Sequence, residues 1–105
     1  MDLDLHQKHI LITGGSKGIG LACAKAFLSE GACVTLMSRS QANLDQARET
    51  LMQEGFEAAR IHLCAVDLTQ AAAAAQALEQ ACSTAGEVDV LVNSAGAASR
   101  IPAFE

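Results

Sequence analysis

His9-Ile10-Leu11-Ile12-Thr13-Gly14-Gly15-Ser16-Lys17-Gly18-Ile19-Gly20 is an apolar run that breaks into a glycine-rich turn. It opens at once into the helix-like stretch Leu21-Ala22-Cys23-Ala24-Lys25-Ala26-Phe27. Strand, turn and helix in that order build an anion site. Glycine lets the backbone turn tightly and approach a ligand with no Cβ between them. The helix start then offers unpaired N–H groups and the positive end of its dipole, about half an elementary charge. A diphosphate is the expected guest.

Outward from this segment the pattern repeats. Strand-like runs occupy 9–13, 33–38, 60–66 and 88–93, and helix-length segments fall at 18–30, 41–54 and 70–84. The strands are continuous apolar runs such as Ile10-Leu11-Ile12 and Val90-Leu91-Val92, which mark strands covered on both faces of a parallel sheet. Helical spacing predicts buried stripes at Ile19, Ala22, Cys23, Ala26 and Phe27, then at Leu44, Ala47 and Leu51. The third stripe is Ala74, Ala77, Leu78, Ala81 and Cys82. Gly31, Gly55 and Gly86 follow the helices as C-terminal caps, and Ser40 and Thr69 stand as N-caps of the second and third.

Four strands alternating with three helices predict a doubly wound α/β fold of Rossmann type. Right-handed crossovers put the first two helices on one face and the third on the other, with strand order 3-2-1-4. Ligands then bind where the carboxyl ends of strands one and four meet, reached by the loops 13–20 and 93–96.

The chain has 105 residues, which allows one domain at most. Residues 1–105 are read as part of a dinucleotide-binding domain, short of the later strands and helices of an intact fold. Net charge is −5 and the seven basic residues are scattered, which argues against a nucleic-acid partner. No run is long enough for a membrane helix, and Met1-Asp2-Leu3-Asp4-Leu5 is acidic where a signal peptide is basic. A cytoplasmic protein is expected. Cys23, Cys33, Cys64 and Cys82 have no metal-like spacing and read as buried, reduced thiols; His6, His9 and His62 make no ligand cluster.

Thr13-Gly14-x-x-x-Gly18-Ile19-Gly20, Asp67 after the third strand and Asn93-Ser94-Ala95-Gly96 after the fourth resemble, in order, the motifs of the short-chain dehydrogenase/reductase family. Ser94 departs from that family's second asparagine. The resemblance covers essentially the whole chain and implies dinucleotide contacts at Gly14, Ser16, Lys17, Gly18, Ile19 and Gly20. It extends them to Ser38, Arg39, Asp67, Leu68, Asn93, Ala95 and Gly96. Read from the residues alone, Ser16 and Lys17 also fit a solvated turn, Asp67 an acid favoured near a helix start, and Asn93 a strand cap.

The second strand ends Leu36-Met37-Ser38-Arg39-Ser40, without the carboxylate that would accept from an NAD ribose. Ser38, Arg39 and Lys17 instead offer hydroxyl and cationic donors suited to a 2′-phosphate. NADP(H) is expected over NAD(H), although Arg39 also fits a solvent-facing residue at the start of the next helix. The resemblance further implies hydride transfer between nicotinamide and a carbonyl or secondary alcohol in a small-molecule substrate, in a homo-oligomer. It assigns that chemistry to a serine, tyrosine and lysine downstream of the Asn-Ala-Gly segment. The sequence contains no tyrosine, so these 105 residues are expected to bind cofactor without turnover. A non-catalytic dinucleotide-binding or sensing module is the alternative. With strand four as an edge, self-association is expected.

Overall fold

The structure, a computed structural model, describes residues 6–14, 16–67 and 69–93. In chain order it contains β1 (His9–Thr13), α1 (Gly18–Ser29), β2 (Cys33–Ser38) and α2 (Gln41–Gln53). A 3-10 turn (Ala58–Arg60) follows, then β3 (Ile61–Ala65), α3 (Ala71–Ala85) and β4 (Val90–Asn93). The strands form one parallel sheet in the order β3-β2-β1-β4, as expected.

Alternation along the strands splits the core into two layers. Ile10, Ile12, Val34, Leu36 and Ile61 face α1 and α2, whose Ala24, Leu28, Leu44, Ala47 and Leu51 complete the larger layer. Leu11 and Met37 point the other way, to Ala77 and Ala81 of α3. The first two helices therefore share one face and the third covers the opposite one. Both faces of the central strands are sealed, which explains why they read as unbroken apolar runs.

The stripe expected for α1 is rotated from the one observed. Its buried residues are Gly20, Ala24 and Leu28, whereas Ile19 is 70 % exposed and Ala22 and Ala26 face solvent. Cys23 and Phe27 lie half-buried on the flank. The cause is steric. A glycine contributes nothing to an apolar count, but buried Gly20 carries no side chain that would hold the helix off the sheet. On α2 the expected Leu44, Ala47 and Leu51 are all buried. On α3 only Ala77 and Ala81 are buried; Leu78 is 44 % exposed.

Caps show the same mixture. Ser40 is the N-cap of α2, its hydroxyl accepting from Asn43 N–H at 3.1 Å. Thr69 does not cap α3. The N-cap position belongs to Gln70, while Thr69 turns back and donates N–H and hydroxyl to Asp67 Oδ1 at 3.0 and 2.6 Å. The hydroxyl is thereby oriented as a donor to the carboxylate, where a cap would have it accept from a helix N–H.

β3 starts one residue later than expected because Arg60 closes the 3-10 turn. The Arg60 guanidinium donates to the carbonyls of Leu28 and Ala32. It thereby satisfies an acceptor that the end of α1 leaves without an intrahelical partner. β4 is also shorter than expected. Asp89 precedes it and closes the ladder instead, donating its N–H to His9 O and accepting from His9 N–H, both at 2.8 Å. The four cysteines are free and half-buried rather than fully enclosed. Among the described residues no helix is long and apolar enough to cross a membrane.

Candidate functional site: a dinucleotide cradle at the strand ends

The carboxyl ends of β1, β2 and β4 converge. Thr13 and Asn93 are register partners at the last rung of the β1–β4 ladder. The Thr13 hydroxyl donates to Asn93 Oδ1 at 2.8 Å and lies 3.4 Å from Val92 O. That bond engages the side-chain carbonyl of Asn93, so the amide offers N–H donors to any ligand above the sheet. On the other side, Gly14 N–H donates to Met37 O at 2.8 Å and fixes the start of the loop to β2.

From there the chain must reverse. Gly14 and Gly18 adopt positive φ, 68° and 56°, a region that costs an ordinary L-residue roughly 1–2 kcal/mol. Open space surrounds the position where a Cβ on Gly18 would stand. Backbone conformation, not crowding in the unliganded cradle, is therefore what calls for glycine there. Gly20 is buried where α1 meets the sheet.

Among the described residues no side chain caps the start of α1. Its N-cap is Lys17, which makes no side-chain capping bond, and no acidic residue stands in the first turn. The first-turn N–H groups have no intrahelical partners and the helix dipole is positive at this end. Exposed Lys17 adds a full charge to the same end. The arrangement suits a phosphate group.

At the end of β2, Ser38 meets the glycine loop. The Ser16 and Ser38 hydroxyls are 3.5 Å apart, and Ser38 Oγ accepts from Ser40 N–H at 3.4 Å. Arg39 is exposed beside them and makes no ion pair among the described residues. Asp67 follows β3, next to the same end of β2, where Val66 N–H donates to Ser38 O at 2.8 Å. The hydroxyl and N–H of Thr69 hold the Asp67 carboxyl below the ordinary carboxylate range, and the positive charge of Arg39 acts in the same direction.

Of the residues expected to meet a cofactor, the fold gathers Gly14, Ser16, Lys17, Gly18, Gly20, Ser38, Arg39, Asp67 and Asn93 around the strand ends. Ile19 is also on this loop, exposed at the first turn of α1. Leu68, Ala95 and Gly96 lie outside the described residues, as do Gly15 and Ser94. Sequence reasoning gives Thr13 no task beyond the motif, and its bond to Asn93 supplies one. The signal for it is that each is the polar last residue of an apolar strand.

The strand order and crossovers define a Rossmann-type parallel sheet. The family model described as short chain dehydrogenase matches residues 8–105, and the chain belongs to that family. It is 42 % identical over 96 residues to the uncharacterized oxidoreductase YvrD of Bacillus subtilis, covering 91 % of this chain and 35 % of that protein. A 3alpha-hydroxysteroid dehydrogenase of Mediterraneibacter gnavus is 38 % identical over 96 residues, covering 91 % of this chain and 38 % of its own. The crystal structure of L-sorbose reductase from Gluconobacter frateurii, complexed with NADPH and L-sorbose, superimposes with a TM-score of 0.82 at 36 % identity, over 100 % of this chain and 39 % of that one. The chain spans about a third of the length of the curated relatives it matches.

Proposed function

We propose that these residues form the cofactor-binding portion of an NADP(H)-dependent oxidoreductase that moves hydride between nicotinamide and a carbonyl or secondary alcohol. The observation that carries this reading is the end of β2. Ser38 meets the glycine loop there through Ser16, Arg39 stands exposed beside it, and no carboxylate occupies the strand end. A guanidinium and hydroxyls suit a 2′-phosphate, whereas a carboxylate would repel it. The NADPH bound in L-sorbose reductase supports the same choice. Lys17 and the first-turn amides of α1 would hold the diphosphate, and Asp67 and Asn93 would border the adenine and nicotinamide sides. The bound dinucleotide would supply the hydride; the chain's own contribution is to orient it.

Turnover is assigned to residues outside these 105, because no tyrosine is present to act as general acid or base. The same observation favours a second reading, a dinucleotide-binding module without chemistry. Relatives named for a steroid and for a sugar leave the substrate class at small carbonyls and alcohols.

Calorimetric titration with NADPH and NADH tests the proposal. We expect saturable binding that prefers NADPH by at least about tenfold, roughly 1.4 kcal/mol, and loses that preference in Arg39→Ala. Equal affinity for both, or an unchanged preference in the variant, would sink the assignment of Arg39.

A further inference from the structure

We propose that the outer edge of β3 is a docking groove for an extended peptide segment of another protein that carries a carboxylate side chain. All five residues of β3 line a groove of about 490 Å³. Gln41 and Arg48 of α2 form one wall, and Gln80, Ala81 and Thr84 of α3 form the other. The volume is in the range of pockets that hold small ligands, about 300–1,000 Å³. The floor is what makes a strand the fitting guest.

β3 pairs with β2 on one side, and among the described residues no strand pairs with it on the other. Such an edge presents backbone donors and acceptors ready for a further strand. Proteins usually blunt an edge with proline, charge or a bulge. Ile61-His62-Leu63-Cys64-Ala65 has no proline and no charged carboxylate, lysine or arginine. Five residues at about 3.3 Å each give a register of roughly 17 Å, enough for main-chain pairing by strand addition.

Charge selects the occupant. The lining residues include Arg48 and no Asp or Glu. Arg48 is half-buried and makes no ion pair among the described residues. A second copy, paired antiparallel edge to edge, would set its own Arg48 on the same face as the first. Like charges would then meet across the seam. An acidic side chain from a peptide would instead pair with the guanidinium while its backbone extends the sheet.

The groove runs along β3, whereas the proposed cradle lies beyond the strand ends and meets it at Ala65, the register partner of Ser38. The test is run without cofactor, so its outcome is distinct from that of the NADPH titration. The probe is a fluorescein-labelled peptide of alternating valine and threonine with one central glutamate. Lysine-centred and backbone N-methylated forms serve as comparisons, and anisotropy is read against the 105-residue chain. We expect the glutamate peptide to bind at least tenfold more tightly than the lysine peptide, Arg48→Glu to reverse that order, and N-methylation to abolish binding. Arg48→Glu keeps a good helix former in α2, and circular dichroism of each sample checks the fold. Absence of binding, or binding indifferent to Arg48→Glu or to N-methylation, overturns the proposal. So does a dimer in sedimentation that excludes the peptide, which would assign the edge to self-pairing.

Discussion

At the scale of single residues, the imidazoles show how a polar group is tolerated inside this sheet. His9 is 2 % exposed, yet each of its ring nitrogens has a partner. Nδ1 lies 2.9 Å from Gly86 O and Nε2 2.7 Å from Thr35 Oγ1. Since a carbonyl only accepts, Nδ1 carries a proton and donates it to Gly86 O, while Nε2 pairs with the Thr35 hydroxyl. His62, the register partner of Thr35, is less well supplied. Burial pushes its pKa below the ordinary 6.5, and the charge of His9 acts in the same direction. A base with a depressed folded pKa takes up protons preferentially in the unfolded chain, so protonation favours unfolding. Stability attributable to His62 is intact above about pH 7 and declines as pH falls through 6.5 toward the folded value. We expect the urea midpoint to drop modestly between about pH 7 and pH 5, and His62→Gln to flatten that slope. A slope unchanged in the variant would contradict the assignment. Asp67 belongs to a lower window. Its depressed carboxyl stabilises the fold above the ordinary 3.8, an effect lost as pH falls through the folded value.

At the scale of elements, the contrast between α1 and α2 is instructive. α2 is closed at its start by Ser40, while α1 begins at Lys17 with no capping side chain and no acid in its first turn. The open end is the one directed at the proposed diphosphate position. Ser40→Ala should lower stability by about 1 kcal/mol, read from urea denaturation, because the Asn43 N–H loses its acceptor. A change of only a few tenths would show that water replaces the hydroxyl at no cost. The orientation of α1 has the same origin as its glycine motif. Gly20 serves the loop by its place in the sequence and the fold by its absence of bulk.

At the scale of the whole molecule, the sheet has two edges of different character. β3 lies in a groove between two helices, whereas β4 presents Leu91 at 57 % exposure and, among the described residues, pairs only with β1. Val90-Leu91-Val92-Asn93 carries no charge or proline to discourage a neighbour. Self-association through β4 is the expected outcome. Leu91→Lys should weaken it by about tenfold or more, since burying one leucine side chain is worth roughly 1.5–3 kcal/mol. Sedimentation velocity across a concentration series checks this; a wild-type chain that stays monomeric would remove the premise.

Order of elements, strand sequence across the sheet, helix faces of α2 and the glycine loop were all legible in the chain. Each depends on short-range physics: apolar periodicity, turn chemistry and the handedness of crossovers. The sequence by itself determined that Gly14 and Gly18 would turn the chain at the end of β1, because few other residues take positive φ cheaply. What only the tertiary structure decided is which distant groups meet. Thr13 reaches Asn93 across 80 positions, His9 reaches Thr35 across 26, and Arg60 reaches the end of α1 across 32. The face of α1 and the cap of α3 belong here too, as the burial of Gly20 and the bond from Thr69 to Asp67 show. No local pattern encodes such pairings. They follow from the buried polar group's need for a partner, and which partner is at hand is fixed only when the sheet closes.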